Sequence, residues 1–106
     1  MVIEIKTLVE FQSIITGTTG LIIIDFYSLS CAPCMRFNPT YDMLSNKYPD
    51  IIFCKINISN EQLQDVSKIC LIEMLPTFCF FKKGEYLKKI VGADQTVIEK
   101  LIQQLS

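Results

Sequence analysis

The sequence predicts an α/β sandwich, a mixed β-sheet covered by helices. Three observations carry this. Two strongly apolar runs, Leu21–Tyr27 and Ile51–Ile58, have the pattern of central strands buried on both faces. Stretches with helical spacing of apolar residues separate the strands up to Thr77, which implies parallel pairing. Near the C-terminus Thr77–Phe81 and Tyr86–Val91 are joined through Lys82-Lys83-Gly84-Glu85, a connection short enough for an antiparallel hairpin.

The elements follow in order. Met1-Val2-Ile3-Glu4-Ile5-Lys6 alternates in polarity and reads as a first strand. Thr7-Leu8-Val9-Glu10 has the Thr-x-x-Glu pattern of a capping box, and Leu8, Phe11 and Ile15 then share a helical face. Gly17 and Gly20 bracket a turn into the Leu21–Tyr27 strand. A helix carrying Met35, Leu44 and Tyr48 follows, with a bend expected near Pro39, where a backbone donor is missing, and an end at Pro49-Asp50. After Ile51–Ile58, Ser59-Asn60-Glu61-Gln62 offers a second capping box, with Leu63, Val66 and Cys70 on one face. The hairpin comes next. Asp94 then caps a last helix striped by Val97, Ile98, Leu101, Ile102 and Leu105. The order is β-α-β-α-β-α-β-β-α.

Length and composition narrow the function. The 106 residues fit one domain, 1–106, large enough to hold a core without covalent staples. Half the residues are hydrophobic and a fifth charged, as in a compact globule. A net charge of −1 and the lack of any basic cluster recommend neither nucleic acid nor an anionic membrane as partner. No apolar run approaches the ~18 residues of a membrane span, and the N-terminus lacks the pattern of a signal peptide, so a cytoplasmic protein is expected. Five cysteines exclude a complete internal disulfide framework, and the absence of histidine removes every Cys–His catalytic pair and mixed zinc site.

Cys31-Ala32-Pro33-Cys34 lies between a buried strand and a helix. Two thiols at this spacing can close a small disulfide, and a helix N-terminus favours a thiolate, the species that attacks disulfides. A structural pair and half of a four-cysteine zinc site are the alternatives. Zinc would need two further ligands, and Cys54, Cys70 and Cys79 are widely separated. In the redox reading Cys31 attacks, Cys34 lies one turn inside the helix and resolves, and Pro33 stiffens the first turn.

Asp25 interrupts an apolar strand, where an ionised carboxylate is costly. Either it faces a solvated groove or pairs with Lys55 for structural reasons, or it is a buried carboxyl of raised pKa that exchanges protons with Cys34 through a water, tuned by Lys55. Leu75-Pro76-Thr77 either marks a strand boundary or contains a cis peptide, and a strand start beside the dithiol would offer unpaired backbone groups to an extended substrate. Cys54 and Cys79 read as small core residues. Cys70, ending a helix near Leu75-Pro76, would be open to intermolecular disulfides or oxidation if exposed.

Asp25-Phe26-Tyr27, Cys31-x-Pro33-Cys34, Pro39, Lys55, Leu75-Pro76-Thr77, Phe80-Phe81-Lys82-x-Gly84 and Val91-Gly92-Ala93 together resemble, in order and spacing, the signature of the thioredoxin family. The resemblance spans essentially the whole chain. It implies the thioredoxin fold, with a central five-stranded mixed sheet flanked by four helices, and a cis bond before Pro76. It also implies a dithiol–disulfide oxidoreductase, acting on disulfide-containing proteins and contributing to cell redox homeostasis. Such a protein binds no cofactor itself and is re-reduced by a thioredoxin reductase that uses NADPH. By the same resemblance Cys31 is the nucleophile, Cys34 the resolving thiol and Asp25 the buried acid/base, while Leu75, Pro76 and Gly92 contact the substrate peptide. A monomer is expected.

Three departures stand out. Ser30 occupies the position before the first cysteine where the family usually has Trp, Ala32 replaces the usual Gly, and Asn57 stands where many members have Asp. With Pro33 and Lys55, Ser30 and Ala32 are the residues expected to tune the redox pair. Losing the indole removes apolar surface beside the disulfide, so altered partner choice and redox poise are expected with the core chemistry kept. A thioredoxin-like binding or scaffold module with little redox activity is the competing reading, supported by Ser30 alone.

Overall fold

The computed structural model describes residues 1–106. Its elements are β1 (Val2–Glu4), α1 (Leu8–Gly17), β2 (Leu21–Tyr27), α2 (Ala32–Lys47), β3 (Ile52–Asn57), a 3-10 turn (Glu61–Leu63) running into α3 (Gln64–Ile69), β4 (Thr77–Lys82), β5 (Glu85–Val91) and α4 (Gln95–Leu105). The strands form one sheet in the order β1-β3-β2-β4-β5. β3 pairs in parallel with β1 and with β2, and the β2–β4 and β4–β5 pairs are antiparallel. The expected order and the five-stranded mixed sheet are therefore observed.

β2 is central, and every one of its residues is buried. Successive side chains of a strand point to opposite faces. Ile22, Ile24 and Phe26 join Cys54, Ile56, Cys79 and Phe81 in a core on one face. Leu21 and Ile23 join Phe53, Phe78 and Phe80 on the other, under Phe37, Tyr41 and Leu44 of α2 and Ile98, Leu101 and Ile102 of α4. By this alternation Asp25 falls on the face that α2 covers. Tyr41 locks α2 to the sheet, donating from its hydroxyl to the carbonyls of Cys54 (2.8 Å) and Ile23 (3.2 Å) on adjacent strands.

Local details depart from the sequence reading. Thr7 caps α1, accepting from the Glu10 N–H at 3.1 Å, but its hydroxyl also donates to Glu10 Oε1, so the carboxylate meets the side chain instead of the Thr7 backbone. Leu8 is exposed, and Phe11, Ile14 and Ile15 supply the apolar face. The second central strand begins at Ile52 and ends at Asn57, because the Asn57 side chain accepts from the Ser59 N–H and turns the chain. Asn60, one residue later than expected, makes the next cap by accepting from the Gln62 N–H, which starts a 3-10 turn before α3. The hairpin turn shrinks to Lys83-Gly84, at φ 52° and 80°, the two positive angles that a type I′ turn requires. Asp94 caps α4 as expected, through the Val97 N–H. Val97 itself lies at the margin of the apolar arc and is exposed.

Candidate active site

The junction between β2 and α2 builds the dithiol. Ser28, at the end of the strand, receives the Cys31 N–H on its carbonyl (3.2 Å) and the Ser30 N–H on its hydroxyl (3.1 Å), and the two serine hydroxyls lie 2.8 Å apart. This tight loop presents Cys31 as the N-cap of α2. Its Sγ takes the place of the usual capping oxygen, accepting the Cys34 N–H at 3.2 Å. Cys31 and Cys34 are disulfide-bonded with Cα atoms 5.3 Å apart, inside the normal range. Cys31 is partly exposed and Cys34 is buried. Ala32 and Pro33 are exposed in the first turn, where proline forfeits no helical hydrogen bond.

On the face of the sheet that α2 covers, a row of charge crosses three strands. The strand register places Lys55 beside Asp25 on one side and beside Glu4 on the other. Asp25 is 2% exposed, and its Oδ1 is buried without a hydrogen-bond partner. Burial pushes its carboxyl up to about 7, with Lys55 opposing and Glu4 adding to the rise. The pairing of Asp25 with Lys55 considered from the sequence does not form. The ion pair of Lys55 is with Glu4, at 3.9 Å. Glu4 Oε1 also accepts from the Tyr27 hydroxyl at 2.8 Å, and the Lys55 ammonium sits 5.6 Å from the centroid of the Tyr27 ring. Glu4 is not among the site residues the sequence singles out, and Tyr27 enters there only as part of Asp25-Phe26-Tyr27. The strand register reveals that Glu4 shares a row with Asp25, and Tyr27 lies two residues on along the same face of β2.

The third part of the site is the loop before β4. The Leu75–Pro76 bond is cis. The Pro76 carbonyl accepts from the Gly92 N–H at 2.8 Å, and the Thr77 hydroxyl donates to the Met74 carbonyl. Pro76 is thus occupied and buried, and the open backbone groups expected at this strand start belong to Leu75, whose N–H and C=O have no backbone partner. Gly92 has φ 99°, a conformation that side-chain-bearing residues rarely adopt. Ala93, next to it, joins Pro33, Arg36 and Phe37 in lining an open depression of about 380 Å³, so the loop after β5 lies against the first turns of α2.

The remaining cysteines are interior. Cys54, Cys70 and Cys79 are free thiols, each at most 2% exposed, so Cys70 is not the exposed thiol that its helix-end position allowed. Burial raises the Cys54 thiol to about 12. The interaction between the neighbouring thiols raises Cys70, helped by burial, and lowers Cys79. No group of three or more Cys, Asp or Glu side chains is placed to hold a metal ion, and no helix is long and apolar enough to cross a membrane.

Comparison with known proteins agrees with this geometry. Residues 2–104 match the family model for thioredoxin. A thioredoxin-like protein of Acanthamoeba polyphaga mimivirus is 44% identical over 104 residues, 97% of this chain and 76% of the relative. Human thioredoxin is 33% identical, over 99% of both chains. Among solved structures, oxidised mitochondrial thioredoxin 3 of Saccharomyces cerevisiae superposes with a TM-score of 0.89 at 34% identity, over 98% of this chain and 95% of that one. A Plasmodium falciparum thioredoxin gives 0.88 at 29% identity, over 98% and 99%. The chain belongs to the thioredoxin family of thiol–disulfide oxidoreductases.

Proposed function

We propose that this thiol–disulfide reductase works through Cys31 as nucleophile, Cys34 as resolving thiol and Asp25 as the proton carrier between steps. In the reduced protein the Cys31 thiolate attacks one sulfur of a substrate disulfide. A Cys31–substrate mixed disulfide forms, and the other substrate sulfur leaves as a thiolate that takes up a proton. Cys34 then loses its proton, through a water, to the Asp25 carboxylate and attacks Cys31 Sγ. The second substrate sulfur departs, leaving the Cys31–Cys34 disulfide. Two electrons have passed from the dithiol to the substrate.

The observation that carries this reading is the unequal placement of the two sulfurs. The partly exposed Cys31 Sγ already accepts a backbone N–H at the helix N-terminus, which stabilises its anion, while Cys34 is sealed from solvent. The partnerless Asp25, pushed up to about 7, suits a group that both takes and returns a proton near neutral pH. The unpaired backbone of Leu75, beside Pro76 and Gly92, suits an extended peptide substrate. Ser30, Ala32, Pro33 and Lys55 set the environment of the pair.

Re-reduction by a thioredoxin reductase drawing on NADPH, a cytoplasmic location, a monomeric state and a part in redox homeostasis complete the proposal. Their support is the analogy with the family to which the chain belongs. Insulin reduction with dithiothreitol tests the core of it: wild type gives turbidity and Cys31→Ser gives none above the reagent background. Equal turbidity from both would sink the assignment of Cys31. NADPH oxidation in the presence of a purified thioredoxin reductase tests the recycling step.

A further inference from the structure

Lys55 lies in register between two carboxylates, Glu4 on β1 and Asp25 on β2, and pairs with only one. Its ammonium is 3.9 Å from Glu4 and makes no ion pair with Asp25. Glu4 is itself fixed, since Oε1 accepts the Tyr27 hydroxyl at 2.8 Å, and the Tyr27 ring lies under the ammonium, 5.6 Å away. Tyr27 therefore holds both members of the pair, one by a hydrogen bond and the other by its π-face. Asp25 is left buried, with an oxygen that has no partner.

We propose that Glu4 and Tyr27 form a latch that holds the Lys55 ammonium off Asp25, making Glu4 a positioning residue for the proton-transfer step. The inference rests on Asp25 as proton carrier. Were Lys55 to turn toward Asp25, a buried ion pair would keep the carboxylate ionised through the neutral range, and it could not carry a proton back. Held on Glu4, the lysine leaves Asp25 free to gain and lose its proton where the cysteines react.

The other groups around Asp25 do not take over this role. β4 faces it with Phe78 and Phe80, and α4 contributes Ile98, Leu101 and Ile102 to the same core. α2 brings Tyr41, whose hydroxyl already donates to two carbonyls, and Cys34, tied up in the disulfide. Lys55 is thus the cation whose position decides the charge on Asp25, and Glu4 the group that decides the position of Lys55.

The test is the titration of the Asp25 carboxyl, followed by carbon NMR in the folded, oxidised protein, which needs neither substrate nor reductase. Glu4→Gln is expected to lower the Asp25 midpoint by about one pKa unit, through loss of a nearby negative charge and release of Lys55. Tyr27→Phe, which keeps the ring and drops the hydroxyl, is expected to move it the same way by less. The two parts of the Glu4 effect are separated in a Lys55→Met background. There the shift caused by Glu4→Gln should shrink to the charge contribution alone. Equal shifts with and without the lysine, or no shift from Glu4→Gln, would overturn the latch. The pH profile of insulin reduction is the functional readout, and Glu4→Gln should displace its Asp25-dependent limb by the same amount as the NMR midpoint. A profile that stays put while the NMR midpoint moves would detach the latch from catalysis. Loss of the Asp25-dependent limb in wild type would instead remove Asp25 as carrier.

Discussion

A sulfur at the N-cap of a helix is in a different electrical environment from one in a core. Cys31 Sγ receives the Cys34 N–H and lies where the peptide dipoles of α2 leave partial positive charge, so its thiolate is favoured. Cys54 has no such support, and burial alone raises it to about 12. Cys70 and Cys79 perturb each other's thiols, Cys70 upward and Cys79 downward, and the Tyr86 hydroxyl lies 3.4 Å from Cys79 Sγ. The expected outcome is selective alkylation. Reduced native protein treated briefly with iodoacetamide at neutral pH should gain one adduct, at Cys31, whereas denatured protein gains five, one per cysteine. Peptide mapping by mass spectrometry checks this, and early modification of Cys70 would show that the α3 end opens readily. Ser30 changes what a partner meets at this site: where the family usually places an indole, a hydroxyl folds back onto Ser28. The chain contains no Trp, so emission is confined to tyrosine and gives no indole signal on oxidation.

At the scale of the element, α2 both carries the dithiol and covers the face of the sheet on which Asp25 lies. Its position depends on Phe37, Tyr41 and Leu44 packed against the sheet and on the Tyr41 hydroxyl, which bridges β2 and β3. Tyr41→Phe keeps the ring and removes the bridge. The expected loss is about 1 kcal/mol, a fall in Tm of about 4–8 °C for a domain of this size, measured by calorimetry with the disulfide intact. The strands and helices themselves are legible because their periods are written locally: the apolar run Leu21–Tyr27 coincides with β2, and Asp94, a residue type that favours N-caps, caps α4. Register was not legible, since it is set by pairing between residues far apart in the chain. Asp25 could be found as a lone charge in an apolar run. Lys55 could be suspected as its neighbour, and Tyr27 lies two residues further along the same face of β2, but Glu4 could not be joined to them until β1 and β3 were laid side by side. The same limit hid the Gly92–Pro76 bond, which crosses from the end of β5 to the start of β4.

The whole molecule, which spans 32 × 31 × 22 Å, bears the cost of burying a carboxyl at its centre. Asp25 occupies the central strand of the sheet, and the fold that surrounds it raises its carboxyl from 3.8 to about 7. The native state therefore binds this proton more tightly than the unfolded chain does. Between those two values the folded state holds the proton while the unfolded state has lost it, so stability falls as pH rises through this window and levels off above it. The full penalty corresponds to about 4 kcal/mol at 1.36 kcal/mol per pKa unit, an upper bound. Asp25→Asn removes the charge and keeps the shape. In urea unfolding of the oxidised protein the variant should exceed wild type by up to about 4 kcal/mol at pH 8.5, with the advantage shrinking steadily below pH 7 and largely gone by pH 4. If Asp25 carries the proton as proposed above, the gain should come with slower insulin reduction. An advantage that is constant across pH would mean that the buried charge is not what destabilises the native state.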